Sequence, residues 1–297
     1  MKNMKKLSAL LLALAMVFAL ASCGGNSAST SAPGSAKSDA PAASGSGSAS
    51  GSGDQADAGE SDLSYVKDKG TLVVGITDFE PMDYQDESGE WVGFDADMAR
   101  AFAESLGVQV EFVEINWDNK ILELNNKSID CVWNGMTLTD EVTSSMECSN
   151  AYMNNTQVVV VPKEKAEIDT IELMQNEFSF AVESGSAGEE QAQKFEFQYT
   201  AVEAQANALM EVAAGTSDAA IIDSLMAGAM VGEGTGYPDL VYTVSLNESE
   251  GEQYGVGFRK GSDLAAALND FFSASYADGS MTQTAETYGV QAALIEQ

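Results

Sequence analysis

The chain has 297 residues, with 14 lysines and arginines against 46 aspartates and glutamates, no histidine, and a formal net charge of −32. This length is enough for two domains of ordinary size, each with its own core. The absence of histidine excludes Ser-His-Asp and Cys-His catalytic sites and histidine-ligated zinc, and the acidic balance argues against nucleic acid and anionic membrane surfaces as partners.

Residues 1–22 predict a signal peptide. Three lysines among the first six residues precede an apolar run over 7–21, in which Ser8 is the only polar residue. A helix that spans a bilayer needs about 20 apolar residues, so this run is too short for a membrane span and has the length of a signal-peptide core.

The end of this run resembles a lipobox, the processing signal of bacterial lipoproteins. Residues 20–25 are Leu-Ala-Ser-Cys-Gly-Gly, and Cys23 would become the lipid-modified N-terminus. The alternative is an ordinary secretory signal with an incidental cysteine. Residues 23–61 then predict a flexible tether, because glycine, serine and alanine bury too little apolar surface to offset the entropy of ordering. We therefore expect a protein that is lipid-anchored on the extracellular face of the cell membrane.

From residue 63 onward, strand and helix patterns alternate. Asp95 is a candidate N-cap for the first long helix, and Gly107 ends it. Apolar or alternating patterns predict strands at 71–76, 108–115, 129–133, 157–161, 178–182, 197–202, 219–222 and 240–244. Helical patterns occur at 95–106, 117–126, 204–214 and 225–231, with a further helix that ends at 194. This repeated alternation favours two doubly wound α/β sheets, in which a ligand binds beyond the carboxyl ends of the strands.

Two cysteines remain after Cys23. Cys131 and Cys148 could pair in an exported protein. Cys131 lies in an apolar strand pattern, which fits a buried thiol equally well. The sequence leaves both interpretations open.

The folded part resembles the extracellular solute-binding proteins of ABC transporters, in particular the polar amino acid-binding family. The resemblance covers about residues 63–297, and Trp117 and Asp130 are among the matching positions. Its main motifs, in chain order, are GTLVVG at 70–75, GFDAD at 93–97, GMTLT at 135–139, ESGS at 183–186 and GVGFRKG at 255–261.

This resemblance implies a type II periplasmic-binding-protein-like fold, with two α/β lobes joined by a two-crossing hinge and a ligand enclosed between them. Lobe 1 would comprise 62–154 plus 249–297, and lobe 2 would comprise 157–246. Closure about such a hinge would sequester the solute. The expected protein is a monomer without catalysis, cofactor or metal, and its partners are a small amino acid and the membrane subunits of an ABC permease.

Asp223 and the segment at 185–187 are the first candidate site residues. Asp223 follows a predicted buried strand, and the matching aspartate of the family holds the ligand's α-ammonium. Gly185, Ser186 and Ala187 lie between a strand and a helix start, where free N–H groups favour an anion, here a ligand carboxylate. The alternative for both is a helix cap without a ligand role.

The resemblance also places residues of the first lobe at the ligand. Gly135 and Thr137 match positions that contact the ligand backbone, and Phe79 matches an aromatic residue that packs on the ligand side chain. Trp133 precedes this segment and is expected within reach of the same cleft. An aromatic residue at a strand end is otherwise a core residue, and a threonine there needs no ligand.

One position departs from the family pattern. The resemblance implies an arginine clamp on the ligand carboxylate three residues after Thr139, where this chain has Val142. Glu183 stands where some relatives carry a lysine. Both changes remove positive charge from the expected carboxylate site, so we predict a neutral or cationic amino acid as ligand and no binding of aspartate or glutamate.

These observations favour a binding lipoprotein for amino acid import. A carboxylate-dependent dehydratase-like enzyme on the same fold is one alternative, with Glu183 or Asp223 as general acid or base. A sensing module that docks a membrane protein through its acidic surface is another.

Overall fold

The computed structural model describes residues 61–247 and 251–297. The predicted signal peptide, Cys23 and nearly all of the predicted tether lie outside the described residues. None of the helices in the described ranges is long and apolar enough to cross a membrane.

Strands and helices alternate through most of the described chain. The strands are β1 Thr71–Ile76, β2 Tyr84–Gln85, β3 Trp91–Val92, β4 Gln109–Glu114, β5 Cys131–Val132, β6 Glu147–Cys148, β7 Met153–Asn155, β8 Gln157–Pro162, β9 Ser179–Glu183, β10 Gln198–Val202, β11 Ala219–Asp223, β12 Leu240–Ser245, β13 Glu252–Tyr254 and β14 Gly257–Phe258. The helices are α1 Asp62–Lys69, α2 Phe94–Leu106, α3 Lys120–Asn125, α4 Asp140–Ser145, α5 Ile171–Glu177, α6 Ala187–Lys194, α7 Gln205–Ala214, α8 Ser224–Met230, α9 Leu264–Asp278 and α10 Ser280–Thr287. Single 3₁₀ turns lie at Trp117–Asn119 and Lys163–Lys165.

The first five-stranded sheet has the order β4-β1-β5-β14-β6. β1 pairs in parallel with β4 and β5, whereas β14 pairs antiparallel with β5 and β6. The late strand β14 is thus inserted between two strands from the first half of the chain.

The second five-stranded sheet has the order β10-β9-β11-β8-β12 and is built from one continuous segment. β9 pairs in parallel with β10 and β11, and β8 pairs antiparallel with β11 and β12. The two mixed sheets with their helices confirm the predicted α/β class. The exact lobe bounds stay a prediction.

Two chain segments connect the sheets. One contains β7 and the other contains β13, and these two strands pair as a short antiparallel ribbon. On one segment, only Thr156 separates β7 from β8. On the other, the side-chain oxygen Oδ1 of Asn247 accepts hydrogen bonds from Thr156 Oγ1 at 2.7 Å and from the Gln157 N–H at 2.8 Å. The two segments are therefore fastened to each other.

The predicted N-cap of the first long helix is wrong. Gly93 occupies the N-cap position of α2, and Asp95 lies within the helix, where it is fully buried. Its carboxylate instead accepts hydrogen bonds from other parts of the fold. Gly107 ends the helix with a left-handed backbone φ of 77°, as predicted.

Cys131 and Cys148 are free thiols. Cys131 pairs with Phe258 of β14 on one side, and Cys148 pairs with Gly257 on the other. Two strands separated by a third lie about 10 Å apart, beyond the Cα distance of a disulfide. The position of β14 therefore keeps the thiols apart.

A buried ionic cluster joins α1 to the first sheet. The Arg259 Nε donates to both carboxylate oxygens of Asp62, at 3.2 and 3.0 Å, and its Nη1 donates to the Ile129 carbonyl oxygen at 2.8 Å. Its Nη2 lies 3.5 Å from Asp130, whose other oxygen accepts from Lys69 at 2.6 Å. A single cation thus holds the helix, the end of β14 and the loop before β5.

Replacing Arg259 with methionine should lower the free energy of unfolding by about 3 kcal/mol or more, because Asp62 loses its counter-charge and Asp130 keeps only Lys69. Denaturant titration with a structural probe measures the change. Lys165→Met removes the partner of Asp218 in a half-exposed pair and should cost about 1 kcal/mol or less. A loss for Arg259→Met as small as that of the control would contradict this interpretation of the cluster.

Candidate functional site

A cavity lies between segments that belong to the two sheets. About 440 Å³ of space free of atoms lies within it, part of which is open to solvent. Its walls are formed by Phe79, Trp117, Lys120, Asn134, Gly135, Met136, Thr137, Thr139, Glu141, Val142, Glu183, Gly185, Ser186, Ala187, Glu190, Gln205 and Asp223.

The structure brings the predicted site residues together in these walls, with one exception. Trp133 does not line the cavity and is fully buried. Its ring packs edge-on against Phe272 of α9 at 5.6 Å and against Phe102 of α2 at 6.3 Å, measured between ring centroids. Trp133 points to the helix layer of the first sheet, so the prediction that it faces the ligand needs correction and the core interpretation holds.

Asp223 ends β11 and is held by amide groups. Its Oδ1 accepts from Gln157 Nε2 at 2.7 Å and from Asn155, and its Oδ2 accepts from Gln205. The side chain makes no capping hydrogen bond to α8, so the helix-cap alternative does not describe its contacts. Burial raises the pKa of Asp223, and the amide donors oppose that rise.

Glu252 shares two of these donors from the connecting ribbon. Its Oε2 accepts from Asn155 Nδ2 and Gln157 Nε2, both at 2.8 Å, and its Oε1 accepts from Asn247 Nδ2 at 2.9 Å. Burial and then the charge of Asp223 raise the pKa of Glu252 to about 7. The amides of Asn155 and Gln157 thus bridge a cavity carboxylate and a carboxylate of the crossing segment.

Glu183 ends β9, the strand beside β11. It is 3% exposed, and its Oε1 has no hydrogen-bond partner among the residues that the structure describes. Burial, followed by the charge of Asp223, raises the pKa of Glu183 to about 8. Near neutral pH this side chain therefore holds a proton and presents a neutral acid to the cavity.

Some of the polar groups of the segment at 185–187 already make hydrogen bonds to α6, the helix that follows it. The Gly185 N–H donates to Glu189 Oε2 at 2.6 Å, and the Ser186 hydroxyl accepts from the Glu189 N–H at 3.1 Å. Ala187 is the first residue of α6, and an N–H at that position has no acceptor within the helix. Ala187 is therefore the donor of this segment that remains for an anion.

Asp95 positions the loop that carries Gly135 and Thr137. Its Oδ2 accepts from the Gly135 N–H at 2.6 Å and from the Tyr152 hydroxyl at 2.7 Å. Gly135 has a φ of 54°, and a Cβ there would lie 2.3 Å from the ring of Phe79. Glycine is therefore required where this loop meets the aromatic wall.

Sequence reasoning missed Lys120, the cation of the cavity. Lys120 is 4% exposed, and its Nζ donates to the Gly185 carbonyl oxygen at 2.8 Å, from α3 to the turn after β9. The cavity therefore contains a cation, although Val142 stands where the family pattern has an arginine. Lys120 stands in the helix predicted at 117–126, and a lysine in a helix usually faces solvent.

No group of three or more metal-ligating side chains within 61–247 and 251–297 is arranged to hold a metal ion. The chemistry of the cavity is instead that of a buried ammonium, buried carboxyl groups and one free helix N–H.

The stability of the folded protein should fall as the pH rises from 6 to 8. Glu183 binds its proton more tightly in the folded state, because its pKa rises from 4.5 to about 8, so raising the pH through this window favours the unfolded chain. The loss of unfolding free energy from this group is about 2 kcal/mol. Denaturant titrations at the two pH values measure it.

Glu183→Gln should reduce this pH dependence, whereas Glu233→Gln, a change at an exposed side chain, should leave it as in the wild type. Equal pH dependence in the wild type and Glu183→Gln would contradict the assignment to Glu183.

Comparison with known proteins identifies relatives with this architecture. The chain is 32% identical over 163 residues to a "Probable histidine-binding protein" of Neisseria gonorrhoeae, which covers 55% of this chain and 49% of that protein. It is 30% identical over 234 residues to the "L-arginine-binding protein" of Pseudomonas aeruginosa, covering 76% of this chain and 90% of that protein. A shorter match, 31% over 117 residues, covers 39% of this chain and 44% of the "Cyclohexadienyl dehydratase" of Pseudomonas aeruginosa.

Among solved structures, the P235GK mutant of ArgBP from T. maritima superposes with a TM-score of 0.71 at 31% identity, over 76% of this chain and 98% of that one. This similarity confirms the predicted type II periplasmic-binding-protein-like fold. The family described as "Bacterial extracellular solute-binding proteins, family 3" matches residues 72–291, which is most of the chain. The chain therefore belongs to the bacterial extracellular solute-binding proteins, family 3.

Proposed function

We propose that this protein is the binding component of an amino acid ABC importer, which captures one small amino acid in the cavity and delivers it to the permease subunits. The observation that carries the proposal is the geometry of Asp223. Its carboxylate is fixed by three amide side chains at the end of β11 and lines the cavity. A fixed, buried carboxylate is a suitable partner for an α-ammonium group.

The charges in the walls favour a neutral or cationic amino acid. Lys120 is the one cationic side chain among the lining residues, against the carboxyl groups of Glu141, Glu190 and Asp223, and Glu183 is a neutral acid near pH 7. An added side-chain carboxylate would meet like charges in a partly desolvated space, which costs several kcal/mol. The arginine- and histidine-binding relatives support a ligand of this class.

We propose that the protein binds its ligand without turnover. An enzyme on this site would need Asp223 or Glu183 as a mobile proton donor or acceptor. Asp223 is instead tied by its amide donors, and the match to the dehydratase covers less than half of either protein. Turnover assays on the amino acids that bind would return each of them unchanged.

Asp223→Ala should weaken binding of the best amino acid by about tenfold or more, because a buried ammonium loses a charge-assisted hydrogen bond. Calorimetry across the twenty amino acids with wild type and variant measures this, and aspartate and glutamate should give no binding. Asp239→Ala removes an exposed carboxylate and serves as control. Micromolar glutamate binding, or unchanged affinity in Asp223→Ala, would contradict the proposal.

We further propose that Cys23 carries a diacylglyceryl anchor and that a flexible segment tethers a monomeric binding module, with the predicted lobe bounds, to the outer face of the membrane. The two acyl chains of a diacylglycerol hold firmly where one alone would not. Cys23→Ser should disrupt normal processing, so that no lipid-labelled mature protein forms. Metabolic labelling with a fatty acid tests this, and a lipid-labelled mature protein in Cys23→Ser cells would refute it.

A further inference from the structure

The wall around Val142 lacks the donor that the family pattern places there. Val142 lies in α4, is 3% exposed, and packs in an apolar cluster with Trp117. Its side chain offers the cavity methyl groups only. A ligand carboxylate therefore needs its counter-charge from another residue of the same cavity.

Lys120 is the residue of the walls that can supply this charge. An ammonium group has three N–H donors. Two contacts of Nζ are with carbonyl oxygens, Gly185 at 2.8 Å and Trp117 at 3.3 Å. The third donor remains for a ligand. The Trp117 ring lies 5.1 Å from Nζ and stabilises the cation in its buried position.

The contact with Gly185 also places the ammonium beside the free helix end. Gly185 is two residues before Ala187, whose N–H begins α6. The Lys120 ammonium and the start of α6 therefore approach each other from opposite walls, one as a full charge and the other as a dipole end. Together they form a site for one carboxylate.

We propose that Lys120 binds the α-carboxylate of the ligand in this protein and replaces the arginine that the family pattern places at Val142. This inference rests on the proposed function and deepens it. Lysine offers a compact charge rather than a planar fork, so the carboxylate is held by one charged contact together with the Ala187 N–H. Because Gly185 lies on the other side of the cleft, Lys120 reaches this position only when the two walls are close together.

The competing interpretation is that Lys120 only fastens the two walls through Gly185. A ligand pair that differs only in the carboxylate separates the two roles. L-arginine, L-histidine and L-glutamine are each compared with their α-carboxamides, which keep the ammonium and the side chain. Calorimetry at pH 7 gives the preference for acid over amide for the wild type, Lys120→Met and Lys67→Met, a control that removes an exposed lysine.

The wild type and Lys67→Met should prefer the acid by about tenfold or more, the usual strength of a charge-assisted hydrogen bond. Lys120→Met should lose this preference, binding acid and amide within about twofold of each other. Lys120→Gln repeats the test if the methionine variant does not fold.

Equal weakening of acid and amide in Lys120→Met, with the preference intact, would overturn the assignment and leave Lys120 as a structural tie. A wild type that binds no amino acid would overturn the proposed function itself. The two failures are therefore distinct.

Discussion

The hydrogen bonds between the Asp223 carboxylate and the surrounding amides are the interaction on which the site depends. Gln205 begins α7, and Asn155 and Gln157 lie on the crossing segment, so one carboxylate joins a strand end, a helix and a connection between the sheets. A buried carboxylate without such donors would cost several kcal/mol. The amides of Asn155 and Gln157 also donate hydrogen bonds to Glu252. Any movement of the crossings therefore reaches the cavity directly.

Two cations of the described chain, Arg259 and Lys120, are buried. Arg259 neutralises buried carboxylates below the first sheet, and Lys120 stands among the carboxyl groups of the cavity. Burial also raises the pKa of Asp95 to about 7 and that of Glu183 to about 8. Burial thus favours the neutral form of these groups, so the interior is less negative than the composition alone suggests.

Much of the fold was predictable because local patterns agree with the final structure. The strands around 71–76 and 219–222 are apolar runs with no competing helical period, and Gly107 is a helix stop that works by its own backbone preference. Strand-end residues such as Asp223 follow from topology, since parallel strands place their carboxyl ends at one edge.

The sequence-based predictions failed or stayed open where contacts with distant parts of the chain determine where a side chain lies. Asp95 has the chemistry of an N-cap, yet Gly135 and Tyr152 draw its carboxylate into the core. Trp133 ends a predicted strand next to the loop that lines the cavity, but the sequence does not show whether its ring faces the cavity or the helices that cover the sheet. Lys120 looks like a solvated helix residue until the turn at Gly185 is brought against it. Whether the two cysteines could form a disulfide depended on β14, a strand more than a hundred residues away in sequence, which lies between them.

The insertion of β14 between β5 and β6 also governs the order of assembly. Gly257 pairs with Val132, and the whole second sheet is encoded between them. Pairing of β14 in the first sheet therefore closes a long loop and carries the entropic cost of that closure. The second sheet is formed from one uninterrupted segment, so its pairings are more local. Since the second sheet can form before β14 arrives, it brings residues 132 and 257 closer and shortens the effective loop. Because of this strand order along the chain, formation of the second sheet favours the later pairing of β14 that completes the first sheet.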